Sequence, residues 1–187
     1  MNIVNLVDNS FKGVHKMLQI GDLTIYQEHG ICRVKDISEK TYSNNTKTYY
    51  VLQPIDNSNQ LTFNIPVENH KKLLTELMDK EEAKKVIQSF HLDGMEWIEK
   101  PQQRTNSYTK VLNSGDRIEV AKVANTLLIK KREIENGGKK FSENDRKLLM
   151  NIEEILFNEM AIALDIPVKD VKKEINSIID TKVVKQG

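Results

Sequence analysis

The 187-residue chain carries 28 basic and 27 acidic side chains, so no global positive field marks it as a nucleic-acid binder. Its single cysteine, Cys32, excludes an internal disulfide framework and a cysteine-built zinc cluster. No apolar run approaches the roughly 20 residues of a membrane span, and the first residues show no secretory signal, so a cytoplasmic protein with no membrane contact is expected.

Residues 1–16 have weak patterning and read as a flexible leader, with Met17 directly before the first strand signal. From Gly21 to Val67, four short runs rich in Val, Ile, Thr, Tyr and Phe are separated by turn residues, the pattern of a small antiparallel β-barrel. Gly21-Asp22 opens a turn and His29-Gly30 reverses the chain between strands. Leu23, Ile25, Ile31, Phe63 and Ile65 fall at period-two positions and are expected to face inward. Ser43-Asn44-Asn45 and Asp56-Asn57-Ser58-Asn59 read as hairpin loops, because Asn and Asp tolerate positive φ and bond their own backbone. Cys32 lies in an apolar strand and reads as a small buried hydrophobe.

After residue 68 the strand signals stop and helical spacing takes over. His70 to Leu77 reads as a short helix or turn. Asp79 is a good N-cap for the run from Lys80, with acidic residues facing the positive end of the dipole. A connector containing Trp97 leads to Pro101, which suits a helix start. A helix over Asn106–Leu112 stops at Gly115, and the next runs from Ile118 to Glu135 before Gly137-Gly138. Ser142-Glu143-Asn144-Asp145 starts a long helix to about Leu164, expected at the centre of a bundle, and Pro167 opens a last helix through Ile179. The expected class is α+β: a β module over 17–68, an all-α domain over 69–180 and a flexible tail over 181–187.

Motifs for catalysis are missing. There is no glycine-rich phosphate loop, no Gly-x-Ser-x-Gly elbow and no paired histidine ligands among His15, His29, His70 and His91. Glu153-Glu154 and Glu159 resemble carboxylate sites of bundles but no Glu-x-x-His accompanies them, so neither enzyme activity nor a metal or other cofactor is expected. Charge in the helical part is uneven. Trp97 to Lys147 holds twelve basic against seven acidic residues, whereas Asn151 onward holds five against seven. A basic segment headed by one tryptophan could follow phosphates while the ring contacts a groove or base step. The same lysines could equally solvate helix faces, and the same tryptophan could be core.

Gly21-Asp22-x-x-Ile25-Tyr26, His29-Gly30, Tyr49-Tyr50-Val51-Leu52 and Ile65-Pro66-Val67 together resemble the RNA-polymerase-interacting domain of the CarD/CdnL family of bacterial transcription regulators. Ser114-Gly115-Asp116, Ala121-Lys122-Val123, Leu127, Ser142-Glu143 and the run from Ile155 to Leu164 follow that family's pattern in the same order. The resemblance implies a Tudor-like barrel that docks on the RNA polymerase β subunit, with Lys40, Tyr49, Asn64 and Pro66 on the polymerase-facing side. It also implies a helical domain at the upstream edge of the melted promoter DNA. There Trp97 would wedge into the minor groove, and Lys100, Arg104, Lys130 and Lys131 would contact phosphates. Two other classes remain open at this point: an adaptor that binds polymerase with Trp97 buried, and a small-molecule-binding protein with a pocket between module and bundle.

Overall fold

The computed structural model describes residues 17–26, 29–56 and 61–186. The expected leader, most of the second hairpin loop and Gln27 lie outside the described residues. The chain divides into two compact units between Thr75 and Glu76.

The first unit is a five-stranded antiparallel sheet. Its strands are β1 (Leu23–Tyr26), β2 (Ile31–Tyr42), β3 (Asn45–Pro54), β4 (Phe63–Pro66) and β5 (Leu74–Thr75). They lie in the order β4-β3-β2-β1-β5. The barrel expected from the sequence is not closed, because β4 and β5 form opposite edges and do not pair with each other. These edge strands have only four and two residues, too few for a ladder that would pull a twisted sheet shut. The Ser43-Asn44 turn has positive φ at both residues, 48° and 59°, which matches the twist of the long β2–β3 hairpin. Gly30, at φ 70°, closes the β1–β2 turn by accepting the Tyr26 N–H.

Two expectations about this unit are corrected. The first concerns the inward face. Thr24 is 2% exposed and Tyr26 packs on the core, so Leu23 and Ile25 occupy the other face of β1. Thr24 is inward because its hydroxyl has a partner there, the Thr75 carbonyl at 3.1 Å. The second concerns residues 70–77. A single helical turn, α1 (His70–Leu73), gives way to β5, whose Leu74 pairs with Tyr26 and is buried in the sheet core. That burial overrides the helical spacing of the leucines and carries the sheet unit past residue 68.

The second unit is helical. It comprises α2 (Lys80–Ser89), α3 (Pro101–Ser114), α4 (Arg117–Asn136), α5 (Glu143–Ile152), a π-helical turn (Glu153–Phe157), α6 (Asn158–Leu164) and α7 (Val168–Gln186). The caps follow the sequence. Asp79 accepts the Glu82 N–H at 2.8 Å, Asp116 accepts from Ile118 and Glu119, and Gly115 takes φ 74°. Three boundaries differ from expectation. The third helix starts ahead of Asn106, at Pro101, the residue expected to suit a helix start. The long helix is interrupted by the π turn, which adds a residue and swings Phe157 and Glu159 inward. The last helix continues through residues 181–186, where a tail was expected.

Phe90, Tyr108, Leu127, Ile152, Met160 and Ile175 form the centre of the helical core. Glu159, 2% exposed, sits among them because Arg117 reaches in from the start of α4. The Arg117 Nε donates to both carboxylate oxygens at 3.0 and 3.2 Å, and the Met78 N–H donates to the same carboxylate at 2.7 Å. Arg117 also donates to Glu82 at 3.0 Å and to the Glu76 carbonyl at 2.6 Å. One guanidinium thus ties α2, α4 and α6 together.

In the sheet core, burial pushes the Cys32 thiol up from 9.0 to about 11. At pH 8 the folded protein should therefore react with a disulfide reagent at least about a hundredfold more slowly than the urea-unfolded chain, because the thiolate fraction falls and the buried sulfur is also shielded from the reagent. Stopped-flow labelling with and without urea measures the ratio; equal rates would mean an accessible thiol.

Candidate functional site

The sheet unit gathers the four residues expected to face polymerase onto one surface. Register pairs Tyr49 with Ser38 on β2 and with Pro66 on β4, Lys40 with Lys47, and Val51 with Asn64. Residues directly opposite share a face, so Lys40, Tyr49, Asn64 and Pro66 all lie on the side away from Tyr50, Leu52 and Ile65. The Lys40 Nζ donates to the Asn64 Oδ1 at 2.7 Å, bridging β2 to β4 across β3. A β-bulge between Val34 and Asp36 makes this face possible. It lets Val34 and Ile37 both point inward while Asp36, Ser38 and Lys40 point out.

Two further residues belong to this face and were not singled out from the sequence. Tyr42 is exposed and meets Tyr49 edge to face, ring centroids 5.8 Å apart. Lys47 forms an ion pair with Glu68. Both follow from two-residue alternation once the hairpin register is known. Among the described residues, β4 pairs only with β3, so its outer edge offers backbone groups to another strand.

In the helical unit, Trp97 lies in the extended segment joining α2 to α3. Side chains from α3 and α4 hold that segment at nearly every step. Asn125, fully buried on α4, donates to the carbonyls of Phe90 and Leu92 at 3.1 and 2.8 Å. Lys182 of α7 donates to the same two carbonyls, and burial pushes its ammonium down despite the opposing influence of Asp93. Thr126 donates to the Met95 carbonyl at 2.8 Å, and the Met95 N–H donates to the Lys122 carbonyl at 3.3 Å. Tyr108, whose hydroxyl is pushed up by burial and stays protonated, donates to the Glu96 carbonyl at 3.0 Å. Beyond the tryptophan, Arg104 donates to the carbonyls of Ile98 and Glu99.

Arg104 was expected to contact phosphate, and the structure corrects this. Arg104 is 3% exposed, and its guanidinium makes a two-pronged ion pair with Asp145 of α5, at 2.9 and 2.7 Å. Asp145, 1% exposed, also accepts from the Ser142 hydroxyl at 2.6 Å. The carbon at the centre of the Arg104 guanidinium sits over the Trp97 ring, 3.9 Å from its centroid, a cation–π contact. The indole is therefore partly buried on the helical core, with its remaining surface open.

The other basic residues differ among themselves. Lys100 is exposed at the start of α3, and Lys131 is partly exposed with no ion pair among the described residues. Lys130 lies 6.0 Å from the Trp97 ring centroid but is paired with Glu133 at 2.7 Å. Lys139 and Lys140 are exposed just before α5, and Lys147 is exposed within it. No cluster of metal-ligating side chains occurs among the described residues, and no helix among them is long and apolar enough to cross a membrane.

Residues 18–78 match the family model of the CarD-like/TRCF RID domain, and residues 74–176 match that of the CarD C-terminal domain. The putative transcription factor YdeB of Bacillus subtilis (strain 168) is 26% identical over 161 residues. That alignment spans 83% of this chain and 98% of the relative.

Gly94 sets how closely the Trp97 segment approaches α4. A Cβ there would stand 2.2 Å from the Thr126 Oγ1 and 3.0 Å from backbone atoms of Lys122 and Thr126. Gly94→Ala should therefore cost about 1–3 kcal/mol of stability in urea unfolding, the range of an overpacked core, and should shift the Trp97 emission. A variant of native stability and emission would show that the segment is loosely held.

Proposed function

The chain belongs to the CarD-like family of transcription factors, and from that premise we propose that it docks on the RNA polymerase β subunit through its sheet unit and stabilises the open promoter complex through its helical unit. The single observation that carries this reading is the presentation of Trp97. Its flanking peptides are tied to buried side chains on both sides while the ring itself keeps an open surface. A fold that merely needed one more apolar group in its core would not require so many polar ties around it.

Docking would use the face of Lys40, Tyr49, Asn64 and Pro66, extended by Tyr42 and Lys47. Aromatic rings such as Tyr42 and Tyr49 on a firm sheet are groups that anchor protein interfaces, with lysines suited to the polar rim. The free edge of β4 could add a strand-to-strand contact with the partner. On the helical unit, an indole inserted at the upstream edge of the bubble would offset the loss of base stacking, with Lys100 and Lys131 on neighbouring phosphates. Lys130 would join them by exchanging Glu133 for a phosphate. Arg104 is removed from the set of direct contacts and serves as the seat of the ring.

The near-balanced charge is compatible with this mechanism. Binding the melted state more tightly than the closed one shifts the equilibrium by the difference in affinity. Docking on polymerase raises the local concentration, so weak contacts to DNA suffice. The packing of Trp97 on the helical core supports a second reading, an adaptor that binds polymerase without touching DNA.

Two variants of the full chain separate these readings. Lys40→Glu combined with Tyr49→Ala should weaken capture of RNA polymerase about tenfold or more while changing stability by no more than about 1 kcal/mol. Trp97→Ala should leave capture intact and abolish the gain in open-complex lifetime, followed by competitor challenge. Undiminished capture by the first variant would remove the docking face. Undiminished lifetime with the second would favour the adaptor.

A further inference from the structure

We propose that Asp145 is a positioning residue for Trp97, acting through Arg104, so that a buried ion pair sets the angle at which the indole is presented. The proposal rests on the reading of Trp97 as the group that meets DNA, and it adds how that group is held.

The geometry supports three linked steps. Asp145 grips the Nε and Nη2 edge of the guanidinium with both carboxylate oxygens, which fixes the plane of the fork. The remaining nitrogen, Nη1, points to the carbonyls of Ile98 and Glu99, the two residues that follow Trp97. The central carbon of the same group lies over the indole, 3.9 Å from its ring centroid. One guanidinium therefore holds both the peptide and the ring, and only a planar five-donor group can do both. Ser142 completes the arrangement by donating to the Asp145 Oδ2 at 2.6 Å, and it also caps α5 through the Asp145 N–H at 3.2 Å.

The burial of these groups argues against a purely packing role. A charged pair taken out of water is a poor source of stability compared with apolar residues of the same volume, and what it can supply instead is a single defined geometry. Here the defined geometry ends on a partly exposed ring. The other route to a fixed tryptophan, full burial, would remove the surface needed for stacking.

Trp97 is the sole tryptophan of the chain, so its emission reads the ring directly. Asp145→Asn and Arg104→Lys, made in the full chain, should each raise quenching of that emission by acrylamide about two- to fivefold, the weight of a partly exposed cation–π contact. Arg104→Lys keeps the charge but loses the plane, so it should not rescue the ring. In the polymerase complex, Asp145→Asn should shorten the open-complex lifetime to the level of Trp97→Ala, and the double variant should lose nothing more.

Unchanged quenching, or lifetime losses that add independently, would overturn the proposal and leave the ion pair as core only. If Trp97→Ala does not alter the lifetime, the reading of Trp97 as a DNA contact fails. Quenching alone then decides whether Asp145 seats the ring: a rise supports it and no change overturns it. Should circular dichroism show Asp145→Asn unfolded, Ser142→Ala keeps both charges and removes the hydroxyl's bond to the carboxylate together with the α5 cap. It should give a smaller rise in quenching, and no rise would overturn the proposal.

Discussion

The helical unit depends on the burial of Arg104 between Asp145 and the Trp97 ring. A surface ion pair such as Lys130–Glu133 contributes about 0–1 kcal/mol, whereas removing one member of a buried pair costs about 3–5 kcal/mol. The two kinds of pair therefore play different parts, although each contains a basic residue near the same tryptophan. The buried one cannot be spared for a ligand. The exposed one can exchange its carboxylate for a phosphate at little cost. Burial, and not residue type, sorts the basic residues into those that hold the Trp97 segment and those left free to form the proposed contact.

A comparable constraint acts in the sheet unit. The bulge between Val34 and Asp36 adds one residue to β2 and so changes which alternate positions face out. Without it, Ile37 would point to solvent and Ser38 and Lys40 would point to the core. With it, Lys40 joins Tyr42, Tyr49 and Asn64 on one surface, and Val34 and Ile37 share the other with Tyr50 and Leu52. A local departure from regular pairing thus assembles the surface proposed to meet polymerase.

Much of this was legible in the residues. The turn at Ser43-Asn44, the cap at Asp79, the stop at Gly115 and the buried Cys32 all follow from local chemistry and appear where expected. The helical run of leucines before Met78 misled, because Leu74 gains more from the sheet core than from another helical turn. Leu23 and Ile25 misled for a related reason: Thr24 found a carbonyl partner inside and took the inward face. Arg104 was counted with the exposed basic residues because its partner lies 41 positions away. Asn125, Thr126 and Gly94, which hold the Trp97 segment, carried no signal beyond being polar or small.

What the sequence by itself determined was therefore whatever nearest neighbours decide: the two-part organisation, the kinds of element, most of their ends, and an ordered set of motifs sufficient to suggest the family. What only the tertiary structure decided was the fate of each charge and of the single tryptophan. A guanidinium has the same chemistry on the surface and in the core. Its role depends on the carboxylate it meets, and that meeting is made by helices distant along the chain.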